Sequence, residues 1–420
     1  MRRLLLFATT TGYQVRAFDD AARELGVSLQ LATDRCDQLD DPWSDRAIAV
    51  RFHEPGRAVD AILAHARAQP IDGILAVGDR PAALAARAAA ALGLPWHSPE
   101  AADASRSKWA TKERLRAAGL LVPMFEQVND ERDLERWDTR LPAVIKPAAL
   151  SGSRGVMRAD TPAQLRAAWE RLQRLLAQPD VLAMRDPEAG VVLIESFIPG
   201  REFACEGVLT GGTLQTLAIF DKPDPLYGPF FEETIYVTPS GAPARVLATI
   251  ERTVADACRA LGLARGPIHA ECRVNDRGVY VLEVAARPIG GICARALRFE
   301  APGRPPQSLE ALLMRHALGE GTDVWRRERR ASGVMMIPIP RPGIYRGADG
   351  IDRAREVAGV DEVVMTAKLD QLLLPLPEGA TYLGFIFAHG DTIREVERSL
   401  RDAHARLEIR LDRPIEVRVD

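Results

Sequence analysis

The 420-residue chain is poor in cysteine, short of net charge and free of long hydrophobic runs, and each shortage excludes something. Its five cysteines, Cys36, Cys205, Cys258, Cys272 and Cys293, are scattered, odd in number and without C-x-x-C spacing. That pattern argues against a disulfide framework and against structural zinc. A reducing, cytoplasmic setting is the simplest expectation. The formal net charge is -3, from 55 basic and 58 acidic side chains, so no excess draws the chain to nucleic acid or to a membrane surface. Any polyanion must be met by cations gathered locally. No apolar run approaches the ~18 residues of a membrane span. Met1-Arg2-Arg3 followed by the apolar residues 4–8 has the outline of a short signal peptide. It passes at once into Thr9-Thr10-Thr11-Gly12 and is read as a first buried strand.

Apolar residues make up 47% and charged residues 27%, ordinary values for a globular chain with a sizeable core. At roughly 100–200 residues per domain, two to four domains are expected. Residues 1–104 alternate strand and helix patterns. Strands are expected at 4–8, 28–32 and 73–77, and helices at 15–25, 58–66 and 82–92, with stops at Gly26 and Gly93. Such alternation indicates a parallel sheet. A lone Gly12 is not the G-x-G-x-x-G fingerprint, which counts against a dinucleotide fold. A second unit is expected over 105–324, with a lid at about 112–194. Within it, Thr161 as N-cap and Pro162 at the first helical position open a helix. Its apolar stripe is Leu165, Ala168, Trp169, Leu172, Leu175 and Leu176. A helix over 246–261 ends at Gly262, and a hairpin over 268–286 follows. Residues 325–420 read as a separate α+β unit, with Thr392 and Glu395 forming a capping box before a helix.

The hairpin carries the strongest chemical signal. Alternation along Ile268-His269-Ala270-Glu271-Cys272-Arg273-Val274 puts His269, Glu271 and Arg273 on one face. A three-residue loop, Asp276-Arg277-Gly278, would set Glu271 directly opposite Glu283. Like charges so placed destabilise a sheet unless one is protonated or a cation lies between them. Mg2+ prefers such hard oxygen ligands, although an exposed strand face with two solvated acids fits the same pattern. Arg287 and Pro288-Ile289-Gly290-Gly291 follow, a cation and a turn with free N–H groups suited to an anion. Two further stretches are weaker alone. Lys146-Pro147, then Ser151-Gly152-Ser153-Arg154-Gly155, places a lysine at a strand end before a loop of small residues. Glu195-Ser196-Phe197-Ile198-Pro199-Gly200-Arg201-Glu202 sets two acids around an apolar segment, as a purine and its ribose would require.

Taken in order, Lys108, Lys146 with its loop, Glu195 to Glu202, Glu271, Glu283 and Arg287 resemble the ATP-grasp superfamily, and within it the L-amino acid ligase group of carboxylate–amine ligases. The resemblance spans the chain and is strongest over 105–320. It implies an ATP-grasp fold, α/β and α+β, between an N-terminal parallel α/β domain and a C-terminal α+β domain. It also implies ATP and Mg2+, with Mn2+ as the alternative ion. Lys108 and Lys146 would contact phosphates, and Ser151, Gly152, Ser153 and Gly155 would close over them. Glu195, Phe197 and Ile198 would read adenine, and Glu202 would bind ribose. Glu271 and Glu283 would hold the metal, and Arg287 with Lys146 would act on the transferring phosphoryl group. The family often has E-x-N on the last strand, whereas here Ala285 stands at the amide position, which puts a full two-metal shell in doubt. The implied reaction joins a carboxylate to an amine, both amino acids, through an acyl-phosphate. Glu232, Glu233, His269, Gly290 and Gly291 are candidate substrate contacts, His269 as a base or a binding group. A homodimer is one implied assembly. Two alternatives are a non-catalytic regulatory ATP-binding protein and another ATP-grasp ligase, such as a purine-pathway enzyme with a phosphate site at the 9–13 loop.

Overall fold

A computed structural model describes residues 1–9, 14–34 and 47–413; the expected turn at Gly12, with most of the 9–13 loop, and Cys36 lie outside the described residues. The N-terminal unit is a parallel four-stranded sheet in the order Ile48–Ala49, Ser28–Thr33, Arg3–Phe7, Gly73–Ala76. Its first strand is apolar from Leu4 to Phe7 because both faces are covered. Leu4 and Leu6 pack with Phe18 and Ala22 of the helix Val15–Leu25, while Leu5 and Phe7 pack with Ile62 and Ala85 on the other side. The alanine-rich helix runs from Asp79 to Leu92, starting a turn before the expected Ala82. Asp79 thereby sits in its first turn, at the mouth of the cleft described below.

The boundary expected after residue 104 falls inside a helix. Pro99–Arg106 is capped by Ser98, and the Ser105 hydroxyl donates to the Val284 carbonyl at 2.5 Å. The next helix, Lys108–Ala117, is capped by Ser107 and buries Leu115 beside Ile250 and Val254. It belongs to the body of the molecule, so the lid does not begin at 112. The lid is the antiparallel sheet Phe125–Val128, Val192–Ser196, Ala143–Pro147, Met157–Ala159, backed by the helix Pro162–Leu176. Thr161 accepts from Gln164 N–H, and the buried stripe of that helix is the set of six residues expected from its spacing. With Trp137 and Val192 they form a separate lid core.

An eight-stranded antiparallel sheet makes the body. Its order is Gly278–Ala285, Gly266–Asn275, Arg201–Thr210, Thr213–Asp221, Ile235–Thr238, Ala331–Ile337, Gly384–Gly390, Val360–Met365. The C-terminal segment is thus not a separate unit. Its strand Ala331–Ile337 pairs with Ile235–Thr238 and carries the same sheet onward. Edge strands must be paired or covered, and here the later strands do the pairing. The capping box at Thr392 and Glu395 opens the helix Ile393–His404, whose Val396, Leu400 and Ala403 pack on this extension. Among the described residues, no helix is long and apolar enough to cross a membrane.

Candidate active site

The lid, the N-terminal sheet and the large sheet enclose one cleft of about 560 Å3. Its floor is set by strand register. The hairpin turn is two residues, Asp276 and Arg277, with Asn275 paired to Gly278, rather than the three-residue loop expected. A bulge that leaves Leu282 without a partner restores the count, so Glu271 still faces Glu283. On its other edge, Gly266–Asn275 pairs with Arg201–Thr210, placing Arg273 opposite Glu202, Glu271 opposite Ala204 and His269 opposite Glu206. Two direct cross-strand charge pairs result, and the small Ala204 leaves space beside Glu271.

Although Glu271 and Glu283 are register partners, the carboxylates that converge are Glu202, Glu233 and Glu271. The Lys222 ammonium sits among them, donating to Glu202 at 2.8 Å, to Glu271 at 3.0 Å and to Glu233. Burial alone would lower the Lys222 pKa, but Glu202, Glu233 and Glu271 hold it well above the usual lysine range. Glu271 lies well below the ordinary carboxylate range because Lys222 and His269 overcome the opposing effect of burial. Glu233 is pushed up to about 7 by burial and by Glu271, against the pull of Lys222. His269 donates from Nδ1 to Glu206 and lies 3.4 Å from Glu271 through Nε2. Burial works to lower its pKa, and Glu206 with Glu271 raises it to about 10. Both carboxylates thus favour the charged form of the ring.

Arg287 meets the N-terminal unit. Its Nε donates to Asp79 Oδ1 at 2.8 Å and its Nη1 to the Pro288 carbonyl at 3.1 Å. Burial opposes the charge, but Asp79 raises the guanidinium pKa and Arg287 in turn lowers that of Asp79. The turn after Arg287 is pinned as well. Glu206 accepts from Ile289 N–H at 3.0 Å, and the Gln14 amide donates to the Ile289 carbonyl. Gly290 and Gly291 line the cleft; at φ 60, Gly291 has its α-carbon face 3.2 Å from the Phe385 ring, measured from where a β-carbon would sit.

From the lid, Lys146 forms a 2.7 Å ion pair with Glu195, and the fully buried Lys112 lies 3.2 Å from the same carboxylate. Burial lowers the Lys112 pKa to about 8 in spite of Glu195. Both lysines meet the same oxygen, Oε1, of Glu195, which also lines the cleft. Lys108 donates to the carbonyls of Ala148 at 3.1 Å and Leu150 at 2.6 Å, so it braces the root of the Gly/Ser-rich loop rather than pointing freely at a phosphate. Gly152, Ser153 and Gly155 have φ of 64°, 56° and 76°, left-handed positions that fold the loop tightly, with Gly155 N–H donating to the Pro377 carbonyl. Ser151, Gly152 and Ser153 line the cleft, but Gly155 does not. A β-carbon there would meet Leu172, Leu175 and Pro147 at 3.0 to 3.1 Å, so Gly155 is needed for close packing under the loop. The apolar slot is walled by Val144, Phe197, Ile198, Leu226, Phe231 and Leu282. Arg158 and Arg273 lie 4.1 and 5.2 Å from the centre of the Phe197 ring.

Of the residues expected from the sequence, the cleft gathers Lys108, Lys146, Glu195, Phe197, Ile198, Glu202, Glu233, His269, Glu271, Glu283, Arg287, Gly290 and Gly291 along with the loop. Glu232 lies outside it. Lys112, Asp79, Glu206, Arg273 and Lys222 were not assigned roles, yet they orient the rest. Arg273 and Glu206 did carry a signal, since each keeps period-two spacing with an assigned acid. Asp79 and Lys112 carried none.

Family models match three parts of the chain: the ATP-grasp N-terminal domain at 18–96, the ATP-grasp domain at 139–296 and the L-amino acid ligase C-terminal domain 2 at 335–412. Among curated proteins, the chain is similar to uncharacterized protein y4rH of Sinorhizobium fredii, 27% identical over 70% of this chain and 59% of that protein. It is also similar to D-alanine--D-alanine ligase B of Chromobacterium violaceum, 28% identical over 47% of this chain and 63% of that one. The chain thus spans about 60% of the length of these relatives. Among solved structures, an L-amino acid ligase from Bacillus licheniformis superposes with a TM-score of 0.79 at 24% identity, covering 98% of this chain and 99% of that one. A carboxyaminoimidazole ribonucleotide synthase from Aspergillus clavatus complexed with ATP gives 0.70 at 16% identity, over 97% and 99%. The chain belongs to the ATP-grasp superfamily and carries the L-amino acid ligase C-terminal domain behind its ATP-grasp core.

Proposed function

We propose that the protein is an ATP-dependent ligase that joins the carboxylate of one amino acid to the amine of another, releasing ADP and phosphate. The observation that carries this reading is convergence. One cleft holds a lid lysine, a loop of left-handed small residues, an apolar slot, the acids Glu271 and Glu283, and an arginine fixed by a half-buried aspartate.

The residues fit Mg-ATP. Phe197, Ile198 and Leu282 offer the slot for a purine, and Glu202 an acceptor for ribose hydroxyls. Glu271 and Glu283 supply the hard oxygen ligands that Mg2+ prefers. Among the described residues no hydrogen bond or ion pair ties down the Glu283 carboxylate, which leaves it available. When bound, Mg-ATP supplies the phosphoryl group that converts a carboxylate into an acyl-phosphate, from which an attacking amine displaces phosphate. The chain has little covalent work to do; it positions groups and neutralises charge. Lys146 stands at the root of the Gly/Ser-rich loop, and that loop covers the cleft and excludes water from a labile acyl-phosphate. Arg287 is held charged and immobile by Asp79, ready to meet charge on the transferring group without reorganising. Gly290 and Gly291 line the cleft, and their N–H groups would suit a substrate carboxylate, as Glu233 would an ammonium. The D-alanine ligase relatives and the L-amino acid ligase fold together support amino acids as the substrate class.

The test is incubation of the full chain with Mg-ATP and a panel of L- and D-amino acids, alone and in pairs, with products read by mass spectrometry. ADP should form only with productive pairs, in step with a dipeptide. An absence of amino-acid-dependent ADP across the panel would remove this reading. Glu283→Ala should lose at least about a thousandfold in turnover, on the order of an electrostatic catalytic contact, with an unchanged melting temperature. Activity retained in that variant would overturn the metal role of Glu283.

A further inference from the structure

The Gly/Ser-rich loop does not stand free over the cleft. Gly155 N–H donates to the Pro377 carbonyl at 2.9 Å, and Arg154 Nε donates to the Glu378 carbonyl at 2.8 Å. Arg171, on the lid helix behind the loop, makes a two-pronged pair with the Glu378 carboxylate, Nε to Oε1 at 2.5 Å and Nη2 to Oε2 at 2.8 Å. Its guanidinium also lies 5.1 Å from the centre of the Phe230 ring. Arg154 also donates from Nη1 to Asp180 at 2.6 Å.

What lies next to Glu378 gives these contacts meaning. The chain continues through Ala380, Thr381 and Tyr382, all of which line the cleft. Tyr382 packs edge-on against Phe385, ring centres 6.2 Å apart, and Phe385 lies against Gly291. One short stretch of the C-terminal segment therefore touches the phosphate-side loop at one end and the Gly290–Gly291 turn at the other. The Arg171–Glu378 pair is part-exposed, with side chains 39% and 35% accessible, so it can open and reform without leaving a buried charge.

We propose that Glu378 is a positioning residue that latches the Gly/Ser-rich loop through Arg171 and ties its closure to occupancy of the cleft beside Tyr382. The coupling rests on the ligase reading, whereas the latch itself does not. With the second substrate in place, the 377–385 stretch is held and the loop stays shut. With it absent, the latch is the weak point at which the loop opens.

Amide hydrogen exchange on the full-length chain, free and with ADP, reads the latch without any turnover. Glu378→Ala should speed exchange across 150–156 by about fivefold, the order expected for a bidentate, part-exposed pair, while the melting temperature stays within a few degrees. Arg171→Ala should do at least as much, since it also leaves Phe230. The double variant should exchange no faster than Arg171→Ala alone, because the two residues share one contact. Unchanged exchange in Glu378→Ala, or effects that multiply in the double variant, would overturn the latch. In turnover, Glu378→Ala should form more than one ADP per amide at unaltered ATP KM; a ratio that stays at one would overturn the coupling. If no amide forms with the intact chain but the exchange results hold, the ligase reading falls and the latch stands.

Discussion

Lys222 shows how one buried side chain holds a site together. Three carboxylates converge on its ammonium, and the Tyr236 ring lies 5.0 Å away. Without it, Glu202, Glu233 and Glu271 would be acids in a low-dielectric cleft with too few counter-charges. Lys222→Met should cost roughly 3–5 kcal/mol, the penalty for stripping one partner from a buried charge network. The loss should shrink as the pH falls, because protonation of the remaining acids removes their repulsion. Urea unfolding at pH 7.5 and pH 5 checks both points, and an equal loss at the two values would contradict the charge argument. The same residue bears on the proposed metal site. An ammonium already occupies one side of Glu271, and Ala285, which offers no side-chain ligand, stands opposite His269.

At the scale of elements, the helix Ile393–His404 and the hairpin Gly266–Ala285 fold for opposite reasons. The helix is local. Its capping box closes between Thr392 and Glu395, with Glu395 N–H donating to Thr392 Oγ1 at 3.3 Å and Thr392 N–H to Glu395 at 3.2 Å. Its stripe of Val396, Leu400 and Ala403 then finds the sheet. Thr392→Ala should cost about 1 kcal/mol, read as a small drop in melting temperature with activity intact; a drop of the size expected for a core deletion would rule out a purely local role. The hairpin is not local. Its two-residue turn and the bulge at Leu282 together place Glu271 opposite Glu283, and neither feature alone would do so. A three-residue loop without a bulge predicts the same facing pair, so the pattern was legible while its construction was not. A bulge has no residue signature of its own, because it is set by what the neighbouring strands accommodate.

At the scale of the whole molecule, the N-terminal unit, the lid and the C-terminal segment all supply walls to one cleft, and buried histidines lie where units meet. His97, 2% exposed, sits between Arg265 N–H and the Pro267 carbonyl, and burial lowers its pKa to about 4. His316, on the helix Leu309–Ala317, is lowered to about 4 by burial and by Arg265. Both rings bind a proton more readily in the unfolded chain, near pH 6.5. Stability therefore rises with pH between about 4 and 6.5 and falls as the pH drops through that window. The loss at His97 should approach about 3 kcal/mol by pH 4. His97→Gln should flatten the acid limb of a stability-against-pH curve, and an unchanged limb would show that His97 does not contribute to it.

The sequence by itself determined the local elements and singled out many of the residues that line the cleft. The stripe of Pro162–Leu176, the stop at Gly262 and the charged face of Gly266–Asn275 follow from periodicity and capping, which act over a few residues. Only the tertiary structure decided what those residues touch. It gave Glu195 to two lysines, Lys108 to the loop root, Arg287 to Asp79 and Glu271 to Lys222. It also joined the C-terminal strands to the central sheet. Each of these is a contact between segments far apart in the chain, where charge is matched and desolvated only once the units pack. No spacing in a linear sequence records which distant partner a buried charge will find.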